Sequence, residues 1–182
     1  MSRPPRARAP LKGAALELFV RHGVHATGIR EIARHARCSE AALYRHWPSK
    51  EALIVSLFEE HLGEVVTILD EAVGTVGDIS HRVRVATAAV LRLYDDQPLV
   101  FRFVLLVRYE IATSLPADRR MPQDVLEELM RAHDPENAVL LAAAAMGIFL
   151  QVADHVIFGR LPGPLSHYHD QVTNLVLRTM GL

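Results

Sequence analysis

From Leu11 onward, apolar residues return at helical spacing. Leu11, Ala14, Ala15, Leu18 and Phe19 fall at i, i+3, i+4, i+7 and i+8, one stripe of an amphipathic helix. Gly23 follows the stripe, where a helix C-terminus usually places a glycine. Ile29, Ile32, Ala33 and Ala36 mark the buried face of a short second helix, with Thr27 as its expected cap. Arg37-Cys38-Ser39 leaves room only for a tight turn. Ser39 is then placed to cap a third helix that carries Leu43 inward and ends near Trp47-Pro48. Ser49 is the next cap candidate, and Leu53, Ile54, Leu57, Phe58, Leu62, Val65, Val66 and Leu69 extend a fourth, long helix to about Gly74.

Beyond Gly77, breaks at Pro98, Pro116, Pro122, Pro135 and Pro162-Gly163-Pro164 separate further helices expected near 79–95, 98–113, 121–133, 136–160 and 165–180. Alternating β-branched runs are missing, so the chain reads as all-α, with about nine helices. Half of the residues are hydrophobic, enough for a packed core and against disorder.

Charge changes this picture by its distribution. Residues 1–50 carry ten Lys and Arg against three acids, a net of +7, whereas 51–182 carry ten against eighteen, a net of -8. A basic module that meets a polyanion, joined to an acidic module with another task, explains the asymmetry; chance clustering of solvated charge is the bland alternative. The expected division is 1–50, a basic arm and head, and 51–182, an acidic helical body.

A turn of three residues between the second and third helices makes a helix-turn-helix. Such a unit works only if the third helix offers small or polar side chains to the major groove while its apolar side anchors it. Glu40, Ala41, Ala42, Tyr44, Arg45 and His46 form the outward face, and Leu43 and Trp47 the anchor. Thr27, Ser39, Tyr44, His46 and Lys50 supply donors suited to phosphate oxygens.

With these residues in place, 11–62 resembles the N-terminal domain of the TetR/AcrR family of regulators. The matching pieces are Ala15-Leu16-Glu17-Leu18-Phe19, His22-Gly23, Ala26-Thr27, Ile29-Arg30-Glu31-Ile32-Ala33 and Leu43-Tyr44-Arg45-His46-Trp47-Pro48-Ser49-Lys50-Glu51-Ala52-Leu53. The resemblance implies a cytoplasmic homodimer, usually a repressor, released from a palindromic double-stranded operator by a small molecule. By position it makes Thr27, Ser39, Tyr44, His46 and Lys50 phosphate contacts, and turns Glu40, Ala41, Ala42 and Arg45 toward bases. Three departures stand out. Arg37-Cys38 replaces a common Gly-Val, costing of order 1 kcal/mol if Arg37 needs positive φ and adding a guanidinium beside DNA. Ala41-Ala42 stands where Gly-Thr or Gly-Ser is common, and Trp47 replaces Phe.

Arg3, Arg6 and Arg8 form an arm able to reach the adjacent minor groove, with a disordered tail as the alternative. Cys38, the single cysteine, reads as a filler of the turn, with a redox sensor as the sharper alternative. The ten histidines include no pair at i, i+4, so neither a metal site nor a cofactor is expected. No nucleophile elbow, P-loop or dinucleotide fingerprint is present, which argues against an enzyme; a helical enzyme using Asp154 and His155 is the rival class.

The C-terminal part says less. Ala138 to Ala153 is apolar on nearly every side, so it must be covered all round. Val172, Leu175, Val176 and Thr179 give the last helix a matching face. Pairing these last two helices with their twins would build a four-helix homodimer interface; a monomer core is the alternative. The run Ala138 to Leu150 is read as too short to span a bilayer. His61, Tyr94, Arg102, Tyr109, Gln151 and His155 are the candidates for an effector site, with Arg102 suited to an anionic ligand. A helical ligand-binding protein with only non-specific DNA binding is the alternative reading of the whole chain.

Overall fold

The computed structural model describes residues 8–111, 114–116 and 118–182, and among these it is all-helical. The helices are α1 (Arg8–His22), α2 (Ile29–His35), α3 (Glu40–His46), α4 (Lys50–Val73), α5 (Ile79–Asp96), α6 (Pro98–Ile111), α7 (Pro122–Arg131), α8 (Ala138–Ile157) and α9 (His169–Thr179). A short 3-10 turn, Leu165–Tyr168, leads into α9. Each expected break falls where a proline or a cap forces it. Pro122 opens α7 as its first residue, where its missing N–H costs nothing. Residues 112 and 113, expected at the end of α6, lie outside the described residues.

Packing divides the chain into two units, one within Met1–His61 and Leu99–Ala117, the other within Leu62–Pro98 and Asp118–Leu182. A division by chain order at residue 50 therefore omits α6 from the head. One buried contact within the first unit is a ring pair: Phe103 of α6 stacks on Phe19 of α1, ring centroids 6.0 Å apart and planes 18° from parallel. Both rings are fully buried with Leu11, Ile32, Leu43, Leu53 and Leu57. Truncating either ring would cost about 3–5 kcal/mol.

In the second unit the core joins Leu69, Val83, Ala86, Leu129, Met130 and Leu141 with neighbours from α9. Asp95 of α5 fixes the entry to α9: its carboxylate accepts the backbone N–H of Leu165 at 2.7 Å and of Ser166 at 2.9 Å. Arg120 ties α7 to α4, donating to Asp70 and Glu128, each at 2.7 Å.

The last two helices differ from expectation in which faces are buried. The buried side of α9 is Val172, Thr173, Val176 and Leu177, while Leu175 and Thr179 face outward. The apolar run Ala138 to Leu150 lies within a 20-residue helix, Ala138–Ile157, which by length and composition alone is long enough to cross a membrane. α8 buries Ala138, Leu141, Ala142, Ala145 and Ala153 and leaves Leu140 68% exposed beside exposed Val139, so it is not covered on every side within one chain.

Candidate DNA-binding site

α1 ends as its sequence dictates. Gly23 takes φ +84 and its N–H returns to the Phe19 carbonyl, a conformation cheap only for glycine. The helix-turn-helix that follows stands on Leu43 and Trp47, both buried, as α3 requires to hold its outer face steady. Ser39 caps α3: its side chain accepts the Ala42 N–H at 3.1 Å. Ser49 caps α4 in the same way, accepting from Ala52 at 3.1 Å. Trp47, just before Pro48, is extended at φ -136, which stops α3 at His46.

On the outer surface of α3, Glu40, Ala41, Tyr44 and Arg45 are exposed, while Ala42 and His46 are half-buried. Tyr44 is 49% exposed, with its ring free of the core. Glu40 is not isolated: Arg30 of α2 lies 3.3 Å from its carboxylate, a contact the sequence did not suggest. Ser39 and Arg37 are exposed beside them. These eight residues therefore share one end of the head.

Arg37 is the residue that leaves α2. It takes φ +53, and its N–H bonds the Arg34 carbonyl at 3.1 Å while that of Cys38 bonds Ala33 at 2.8 Å. That pair of bonds is a Schellman closure with arginine where glycine is favoured. The backbone cost anticipated from the sequence is present. Cys38 is half-buried, its thiol 3.4 Å from the Ala36 carbonyl, as befits a residue filling the turn.

Two of the expected phosphate contacts donate to backbone carbonyls within the head. Thr27 does not cap α2, whose cap is Gly28 without a side-chain bond. Thr27 is only 1% exposed, and its hydroxyl donates to the Leu18 and Gly23 carbonyls at 3.2 and 2.8 Å. Lys50 is half-buried and spends its ammonium on the Val24 carbonyl at 2.9 Å and the Thr27 carbonyl at 3.3 Å. Both residues fasten the loop between α1 and α2 from inside. Sequence position alone could not separate a donor aimed at solvent from one aimed at a carbonyl.

Of the expected arm, Arg3 and Arg6 lie outside the described residues. Arg8 begins α1, and its guanidinium sits 5.7 Å from the Trp47 ring, a cation–π contact that seats a positive charge beside the end of α3. Lys12 hydrogen-bonds Glu60 of α4.

The effector candidates are divided between the two units. Within the first unit Arg102 is exposed, Tyr109 is 78% exposed and His61 is half-buried. Within the second unit Tyr94 is buried, Gln151 is exposed and His155 donates Nδ1–H to the Gln151 carbonyl at 2.9 Å, a bond within its own helix. The residue missed in α6 is Arg108, half-buried with Nη1 lacking an acceptor among the described residues. Its signal was helical phase: Phe101, Val104 and Leu105 precede it by seven, four and three positions.

Among the described residues, no group of three or more His, Cys, Asp or Glu is arranged to hold a metal ion.

Comparison with known proteins fits this geometry. Residues 13–57 match the profile of the bacterial regulatory proteins of the tetR family. Over 97 residues, 53% of the chain, it is 33% identical to the HTH-type transcriptional activator FasR of Mycolicibacterium smegmatis, and the match spans only 44% of that relative. A TetR-like transcriptional regulator from Rhodococcus sp. RHA1 has the same fold over 98% of this chain and 99% of its own, with TM-score 0.80 at 22% identity. FadR from Bacillus subtilis, solved with stearoyl-CoA, matches over 92% of this chain and 96% of its own, with TM-score 0.72 at 14% identity. The matched relatives are regulators, not enzymes. With α3 mounted for a groove and the helical architecture of a TetR-like regulator repeated over the chain, residues 13–57 are similar to the head of the bacterial regulatory proteins of the tetR family.

Proposed function

We propose that this chain is a ligand-responsive repressor that binds a palindromic operator as a cytoplasmic homodimer and leaves it when a small amphipathic effector binds. The observation that carries the reading is the outer face of α3. Tyr44 and Arg45 are exposed on a helix whose other side is locked by Leu43 and Trp47, within a segment of net charge +7. Tyr44 and Ser39 then bond phosphates, and Arg45 reads base edges.

The dimer is proposed through α8 and α9. Val139, Leu140 and Leu175 are exposed there, and a second copy is the partner whose matching face would cover them. Two heads would then meet half-sites about 34–36 Å apart, or a multiple of that. The effector class is suggested by the stearoyl-CoA held by the Bacillus relative, and is read as an acyl compound. Lowering operator affinity a hundredfold needs an effector that prefers the released state by about 2.7 kcal/mol.

Protection mapping on the chain's own upstream region tests this reading. Protection of a two-fold site at physiological salt, lost on adding an acyl-CoA, is expected. Equal affinity for that region and for random duplex would leave a ligand-binding protein with only non-specific DNA affinity. A reporter that falls, rather than rises, when the gene is deleted would make the protein an activator, as FasR is named.

A further inference from the structure

Arg108 lies in the last turn of α6 with part of its charge unanswered. Nη1 is buried and meets no acceptor among the described residues. Among the described residues Nη2 reaches a phenol, the Tyr109 hydroxyl at 3.3 Å, and the guanidinium carbon stands 4.7 Å from the centroid of that ring. Neither group neutralises a cation. The carboxylate nearest in sequence, Glu110, faces His25 at 3.2 Å instead. A buried guanidinium N–H without an acceptor opposes folding, so its retention calls for an acceptor that arrives from outside.

What lies along the same side of the helix tells which kind. Phe101 is buried, and Val104 and Leu105 are half-buried, one and two turns before Arg108. Apolar surface thus ends at a cation. Exposed Arg102, by contrast, is already solvated and gains little from an anion. We propose that Arg108 binds the anionic head of an amphipathic effector, whose apolar tail lies along Leu105, Val104 and Phe101 and whose head takes a second hydrogen bond from the Tyr109 hydroxyl. A carboxylate and a phosphate both accept the two parallel N–H bonds of a guanidinium, so the head is either that of a free fatty acid or that of its coenzyme A ester. The proposal rests on the acyl reading above and adds the residue that recognises the charge.

The test uses the full chain, titrated with laurate, lauroyl-CoA and 1-dodecanol, for wild type, Arg108→Leu and Arg108→Lys. Arg108→Leu should weaken one of the two anions about 10- to 100-fold, the range of a lost charged hydrogen bond. The anion that is weakened identifies the head group. Dodecanol should bind the variant as it binds wild type, and Arg108→Lys should recover part of the loss through charge without the fork. Thermal unfolding of Arg108→Leu should lie at or above wild type, because the unsatisfied nitrogen is gone. Unchanged binding of both anions by Arg108→Leu overturns this site and leaves the acyl reading standing. Equal weakening of dodecanol also overturns it, since the loss would then be one of packing. Failure of wild type to bind any of the three probes removes the acyl reading and this site together.

Discussion

The ammonium of Lys50 lies 2.9 Å from the carbonyl of Val24, so the first residue of α4 holds the loop between α1 and α2 from beneath. With the second bond to Thr27 and the inward Thr27 hydroxyl, two donor groups close this loop onto the head through four bonds.

Lys50→Met keeps the stem of the side chain and deletes the ammonium. Bonds from a charged donor contribute roughly 1.5–3 kcal/mol each in mutational series, so a stability loss of about 2 kcal/mol is expected in denaturant unfolding. Duplex affinity should fall alike for operator and random sequence, because the seat of α2 loosens. The slope of log affinity against log salt should change by less than about 0.9, the share of one phosphate. A fall by that full amount with unchanged stability would place the ammonium on DNA and refute the inward role.

Arg45 and Tyr44 neighbour each other on α3 but should separate by phenotype. Arg45→Ala is expected to relax preference at one base pair by about 1–3 kcal/mol, measured by competition with single-site operator variants. Tyr44→Phe should weaken all duplexes by about 0.5–1.5 kcal/mol with the preference unchanged. An Arg45→Ala profile identical to that of wild type across the variant set would remove its base-reading role.

Arg37 at φ +53 sets backbone strain against charge. Arg37→Gly should raise stability by about 1 kcal/mol, because the left-handed conformation costs glycine nothing. The same change should lower the salt slope by about 0.9 if the guanidinium meets a phosphate. Stability that stays level or falls would mean that the arginine side chain stabilises the turn by more than its backbone costs.

Much of this was legible because periodicity and punctuation report the same thing. The stripes of α1 and α4, the caps Ser39 and Ser49 and the breaks at Pro98 and Pro122 are local, and local chemistry decides them. What was not legible is where a polar side chain points. Thr27 and Lys50 have the right chemistry for phosphate and turn inward; Arg102 sits in an apolar run and faces solvent, whereas Arg108, at its end, is half-buried. Each outcome depends on helix phase against a partner distant in sequence, as Phe103 against Phe19 decides for α6.

Glu60 gives the acid response of the head. Its hydrogen bond from Lys12 holds the carboxyl below the ordinary value of 4.5. A depressed pKa stabilises the fold above the unfolded value, and that part is lost as pH falls through the folded one. Stability should therefore drop below about pH 4.5 less steeply in Glu60→Gln than in wild type. Identical acid limbs would show the pair to be screened out by solvent, as its 51% exposed carboxylate allows.

Thr173 is fully buried in α9, and its hydroxyl has no hydrogen-bond partner among the described residues. A helical threonine usually donates to the carbonyl four residues back, and here that bond is not made. The fold then carries the desolvation of a hydroxyl, of order 1–3 kcal/mol, for no return. Valine has the same shape and no such debt, so Thr173→Val should raise stability by about 1 kcal/mol and the midpoint of thermal unfolding by about 2–4 °C. Thr173→Ala removes the hydroxyl but opens a gap beside Val172 and Val176, and should lie below Thr173→Val. A Thr173→Val protein less stable than wild type would mean that the hydroxyl meets an acceptor in solution, an internal water being the one that fits a buried site.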